Sequence, residues 1–100
     1  MKMKAPLRIA LDLRRIDTVG ELHTLLADAF AFPPHYGRNW DALWDCLGEL
    51  EERPTEIDVY GFSALQEKIG HRVIPFFDVL YDFSRARPQT VTLRFHSEEG

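Results

Sequence analysis

The chain has 100 residues, 45% of them apolar and 28% charged, with Lys+Arg 12 against Asp+Glu 16 and a formal charge of -4. That size fits one globular domain over residues 1–100, with its core at about 7–96, and leaves no room for a multi-domain enzyme with a large cofactor cleft. The apolar content excludes disorder, the acidic balance argues against nucleic acid and for a basic partner, and the single Cys46 excludes an internal disulfide or a thiolate zinc site.

Lys2 and Lys4 resemble the start of a signal peptide, but Pro6, Arg8 and Asp12 interrupt any apolar stretch and Arg14 and Arg15 follow, so a cytoplasmic protein is expected. No run of about 18 apolar residues is present, so no membrane helix is expected. Leu7, Ile9, Leu11 and Leu13 alternate with Arg8, Ala10, Asp12 and Arg14, the period of a strand with one wetter face. Thr18 and Glu21 have capping-box spacing, and Leu22, Leu25, Leu26, Ala29 and Phe30 form the apolar stripe of a helix from Thr18 to Phe30. Pro33 and Pro34 end it, and Gly37 suits a left-handed or tight backbone position, so Phe32 to Arg38 reads as a constrained loop.

Asn39 is a suitable N-cap for a second, short helix with the stripe Trp40, Leu43, Trp44 and Leu47, ending at Gly48 or just after. Beyond Pro54, Ile57 and Val59 alternate with Glu56, Asp58 and Tyr60 as a second strand, and Phe62 to Ile69 reads as a short helix stopped by Gly70. Pro75 fits the first turn of a helix whose face is Phe76, Val79, Leu80 and Phe83, and Val91, Leu93 and Phe95 mark the last strand. Three strands separated by helices imply an α/β fold: a small three-stranded parallel sheet packed with three to four helices. His23, His71 and His96 read as surface or border residues.

Charge is not spread evenly. The segment from Asn39 to Glu52 holds Asp41, Asp45, Glu49, Glu51 and Glu52 with no Lys or Arg, while the remainder has 12 basic and 11 acidic residues. At about 100° per residue Asp41 and Asp45 share one helix face, off the Trp40/Leu43/Leu47 stripe, with Trp44 on the border. Like charges at i, i+4 repel by a few tenths of a kcal/mol, a cost that a surface chosen for stability alone would more often avoid. Taken singly, these residues have plainer readings: Asp41 suits the first turn of a helix, Trp44 the core, Asn39 a cap, and the glutamates a solvated rim. A metal site lacks the further oxygen ligands a hard cation needs, and no cofactor is expected.

The stretch Phe32-Pro33-Pro34-His35-Tyr36-Gly37-Arg38-Asn39-Trp40-Asp41-Ala42-Leu43-Trp44-Asp45-Cys46-Leu47 resembles the signature of the barstar family, intracellular protein inhibitors of secreted microbial ribonucleases. Weaker similarity runs from the first strand through Leu22-His23 to Val91-Thr92-Leu93. The resemblance implies a non-catalytic inhibitor, monomeric when free, that plugs the basic active site of an extracellular-type ribonuclease with its acidic helix and the loop before it. Carried over by motif, Asp45 is the central anchor standing in for a substrate phosphate. Asp41 adds a second charge contact, Asn39, Gly37 and Trp44 supply shape and hydrogen bonds, and Asp82 is the acidic contact from the last helix. His35 stands where the best-known member has tyrosine, Leu50 where it has tryptophan and Arg38 where it has an acid, and Asp82 is shorter than the usual glutamate. Two other readings use the same residues: a small hydrolase or transferase with His35 as base and Asp41 or Asp45 as acid or nucleophile, and an interaction module or immunity protein against another basic toxin.

Overall fold

The computed structural model describes residues 4–97. Strand β1 (Leu7–Asp12) leads into helix α1 (Val19–Phe30), then α2 (Trp40–Gly48), β2 (Thr55–Tyr60), α3 (Phe62–Ile69), a 3-10 turn (Gly70–Val73), α4 (Ile74–Ala86) and β3 (Val91–His96). The three strands form one parallel sheet in the order β1-β2-β3, as the helix-separated strands require.

The register explains which face is buried. Ile9, Ile57 and Leu93 lie in one cross-strand row and Leu11, Val59 and Phe95 in another. These rows join Leu22 and Leu26 of α1, Leu43 and Leu47 of α2, Leu65 of α3 and Phe76, Leu80 and Phe83 of α4 in a single apolar cluster. The opposite face carries Arg8, Asp12, Glu56, Asp58, Arg94 and His96, and stays wet although parallel sheets are usually covered on both sides. Ion pairs lace it: Arg94 donates from Nε to Asp58 at 2.7 Å and from Nη2 to Glu56 at 2.6 Å, and His96 Nε2 lies 2.7 Å from Asp58. His96 also stacks on Tyr60, with centroids 4.5 Å apart.

Hydrogen bonds from Arg94 and then His96 hold the Asp58 carboxyl at about 2, below its ordinary 3.8. A carboxyl lowered on folding stabilises the fold above its unfolded value, and the contribution is lost as pH falls from about 3.8 towards 2. Urea unfolding in acid should therefore show a loss of stability in that window that is smaller in Asp58→Asn, which has no proton to take up.

Thr18 accepts the Glu21 N–H at 3.1 Å, as its spacing predicts, but Glu21 reaches one residue further back than in a capping box and accepts the Asp17 N–H at 2.8 Å. The 3-10 turn at Gly70–Val73 was not foreseen: Gly70 does stop α3, with φ 64°, but the chain is then held in one tight turn so that Val73 enters the core directly before α4. His23 is another correction. It is 3% exposed rather than on the border, because its place three residues before Leu26 and seven before Phe30 puts it on the inner arc of α1.

Candidate functional site

The loop between α1 and α2 begins with a left-handed residue, Ala31 (φ 57°), where the Phe32 N–H turns back to the Ala27 carbonyl at 2.9 Å. Pro33 and Pro34 follow, and the Tyr36 N–H closes a turn on the Pro33 carbonyl at 3.0 Å. The two alternatives for Gly37 separate here. It is not left-handed; that conformation falls to Arg38, with φ 54°. Gly37 is instead a tight position, where an added Cβ would sit 3.3 Å from Asn39 Nδ2 and 3.4 Å from Ala42 Cβ. The strain of a left-handed non-glycine residue, about 1 kcal/mol, is offset at Arg38 by a 2.6 Å hydrogen bond from its Nη1 to Thr24 Oγ1.

Asn39 caps α2, its Oδ1 accepting the Ala42 N–H at 2.8 Å, and its Nδ2 donates to the Gly37 carbonyl at 3.3 Å. Its side chain thus ties loop to helix. Asn39→Ala should cost about 1 kcal/mol of stability, read as a lower urea midpoint with an unchanged slope.

In α2, Leu43 and Leu47 are buried, Trp40, Ala42 and Cys46 half-buried, and Asp41, Trp44 and Asp45 exposed. The wheel places the two aspartates correctly, but Trp44 is more than a border residue: at 43% exposure its indole stands in solvent on the flank of the two carboxylates. Burial pushes the Cys46 thiol up, with Glu49 and Asp45 adding to the shift, so it is a poor nucleophile.

The acidic segment is not uniform. Glu51 is paired with Lys4 at 2.7 Å and Glu52 with Arg87 at 3.9 Å, while Arg87 Nη2 donates to the last carbonyl of α2, that of Gly48, at 2.9 Å. Asp41, Asp45 and Glu49 have no ion-pair partner among the described residues. The -5 of the sequence therefore resolves into two neutralised glutamates at the far end and an unneutralised cluster on α2 and its cap.

His35, Gly37, Asn39, Asp41, Trp44 and Asp45 follow one another along this loop and helix; His35 is exposed. Asp82 comes from elsewhere, on the exposed side of α4, the helix that packs against α2. No hydrogen bond or ion pair among the described residues joins His35 to either aspartate, so nothing there polarises it as a base. Nor do three His, Cys, Asp or Glu side chains among the described residues gather as a metal site would require. No helix among them is long and apolar enough to cross a membrane.

A cluster behind the loop escaped the sequence reading. His23 Nδ1 lies 2.6 Å from Tyr36 Oη, its ring is 4.3 Å from that of Trp40, and Tyr36 packs on Phe32 at 5.0 Å. Its signal was the spacing of aromatics, Phe32, Tyr36 and Trp40, each four residues on, opposite a histidine at an inner-face position.

Two comparisons with known proteins bear on this arrangement. Residues 7–97 match the family described as "Barstar (barnase inhibitor)". A protein of Bacillus subtilis (strain 168), named "Putative ribonuclease inhibitor YrdF", is 32% identical over 75 residues, which make up 75% of this chain and 82% of that protein.

Proposed function

The chain belongs to the barstar family, and on that premise we propose that it inhibits a ribonuclease without catalysis by laying α2 and the loop before it into the enzyme's basic active site. The observation that carries the proposal is the outer face of α2, where Asp41, Trp44 and Asp45 stand exposed without a cationic partner among the described residues. A site built to hold phosphate presents cations, and carboxylates fixed on a helix meet them without the entropy of ordering a flexible segment.

In this reading Asp45 takes the place of a substrate phosphate and Asp41 adds a second charge contact. Trp44 supplies apolar area, and His35, Gly37 and Asn39 shape the adjoining loop. Asp82 on α4 adds an acidic contact. The partner is an extracellular-type ribonuclease or a related basic toxin, met in the cytoplasm by a free monomer. An uncompensated acidic face also speeds encounter with a basic cleft, so association should be fast and slow markedly as salt is added.

RNA cleavage by a panel of small bacterial ribonucleases, barnase among them, measured with increasing amounts of the protein at low salt, tests the proposal. Titration to zero activity at one equivalent is expected. If micromolar protein inhibits no member of the panel, the ribonuclease reading fails.

A further inference from the structure

Two adjacent residues of α1 hold the loop on either side of Gly37. His23 meets Tyr36 through a 2.6 Å hydrogen bond, and Thr24 accepts one of 2.6 Å from Arg38. Trp40, the first residue of α2, packs its ring on the same imidazole. Gly37 is thus fixed from both flanks, and Asn39, which caps α2, follows at once. The direction in which the exposed groups of the loop and α2 point is set from behind, by α1.

This arrangement depends on the charge of one ring. A neutral imidazole can accept the Tyr36 hydroxyl proton at Nδ1 or donate to its oxygen, according to tautomer; an imidazolium can only donate. Protonation therefore restricts the buried Tyr36 hydroxyl to accepting and leaves its own proton to find another partner. It also places a buried cation near the Arg38 guanidinium, with no carboxylate hydrogen-bonded to it among the described residues. Both effects oppose the clamped geometry.

We propose that His23 is a positioning residue that presets the loop before α2 for partner capture, and that its protonation in mild acid loosens the clamp and weakens capture. The inference rests on the inhibitor reading above. The groups that face His23 are Tyr36 and Arg38 from the loop and Trp40 from α2, with Cys46 bearing on Tyr36. Burial, and then Arg38, keeps the imidazole below its ordinary 6.5, so the ring is neutral at neutral pH. Burial pushes the Tyr36 hydroxyl up to about 12, so it stays protonated throughout and, of this hydrogen-bonded pair, only His23 changes charge.

Binding kinetics of the intact protein with barnase, for wild type, His23→Gln and Tyr36→Phe, test this from about pH 8 down through the acid side of the ordinary imidazole range, as far as both proteins stay folded. Wild-type dissociation should accelerate by up to about tenfold on acidification, the effect of one hydrogen bond lost from the clamp. His23→Gln, which cannot titrate, should lose that acceleration, whereas titrations belonging to the ribonuclease or to other groups of this chain persist in every variant. Tyr36→Phe keeps the ring and removes the hydroxyl, and should dissociate up to about tenfold faster even at high pH. A His23→Gln profile that parallels wild type overturns the inference. If wild type does not bind barnase at high pH, the failure lies with the inhibitor reading for that enzyme. The clamp is then judged on the free protein by nuclear magnetic resonance. The Gly37 and Asn39 amide shifts should titrate with the same midpoint as the His23 ring, and amides that ignore that midpoint overturn the inference independently of any ribonuclease.

Discussion

Asp45→Ala is expected to weaken binding to the partner ribonuclease by roughly a hundredfold or more while leaving the fold as stable as before. In the complex proposed above, the Asp45 carboxylate would lie against cations out of water, and removing one member of such a pair leaves the other charged and unpaired, at about 3–5 kcal/mol, where about 1.4 kcal/mol is a factor of ten. In the free protein the same carboxylate is exposed and has no cationic partner among the described residues, so nothing is orphaned when it goes. Alanine is the better helix former, and its neighbour four residues back, Asp41, loses a like charge, which together favour the variant by up to about 1 kcal/mol. Surface-plasmon kinetics and urea unfolding separate the two quantities. The lost affinity should fall mostly on the dissociation rate, and an unchanged affinity would remove Asp45 from the role of anchor. Asp45→Asn, which keeps the shape, should in addition slow association at low salt, a difference that fades as added ions screen the approach.

Legibility in the sequence followed the range of the interaction. Period-two alternation placed all three strands, and i, i+3, i+4 stripes placed α1, α2 and α4, because both patterns report which face meets the apolar core, while α3 was marked by its Gly70 stop. Caps read equally well where they are local: Thr18 and Asn39 bond to N–H groups three residues on. What could not be read was whatever depends on partners distant in sequence. Arg38 tolerates a left-handed backbone because Thr24 lies within reach, a fact about how α1 packs and not about residues 37 to 39. His23 looks polar in a one-dimensional pattern and becomes a buried group only when Tyr36 and Trp40 close over it. The charge of the acidic segment was legible as a total, whereas its division into paired Glu51 and Glu52 and unpaired Asp41, Asp45 and Glu49 needed the positions of Lys4 and Arg87. The 3-10 turn at Gly70–Val73 had the same difficulty, since it is set by the need to seat Val73 in the core between two helices.

Leu43→Ala, on the reverse side of the same helix turn, should do the opposite of Asp45→Ala. Leu43 is fully buried in the cluster shared with Leu47 and the sheet, and truncating such a leucine costs about 2–5 kcal/mol through lost transfer energy and the cavity left behind. For a domain whose total stability is of order 5–15 kcal/mol that is a large fraction, so the urea midpoint should drop sharply. The loss bears on the site because α2 has only nine residues and is too short to be helical by propensity; its packed face keeps it formed. Where the variant is still folded, however, the outer residues retain their backbone, and association with the ribonuclease should stay within a few-fold of wild type. The double variant Leu43→Ala/Asp45→Ala then discriminates between two pictures of the helix. If α2 is a rigid platform with an energetic inner face and a functional outer one, the stability losses and the affinity losses each combine additively. If truncating Leu43 lets the helix shift as a unit, Asp45→Ala will cost less affinity in that background than in wild type, because the carboxylate it removes is already displaced from its place opposite the enzyme's cations.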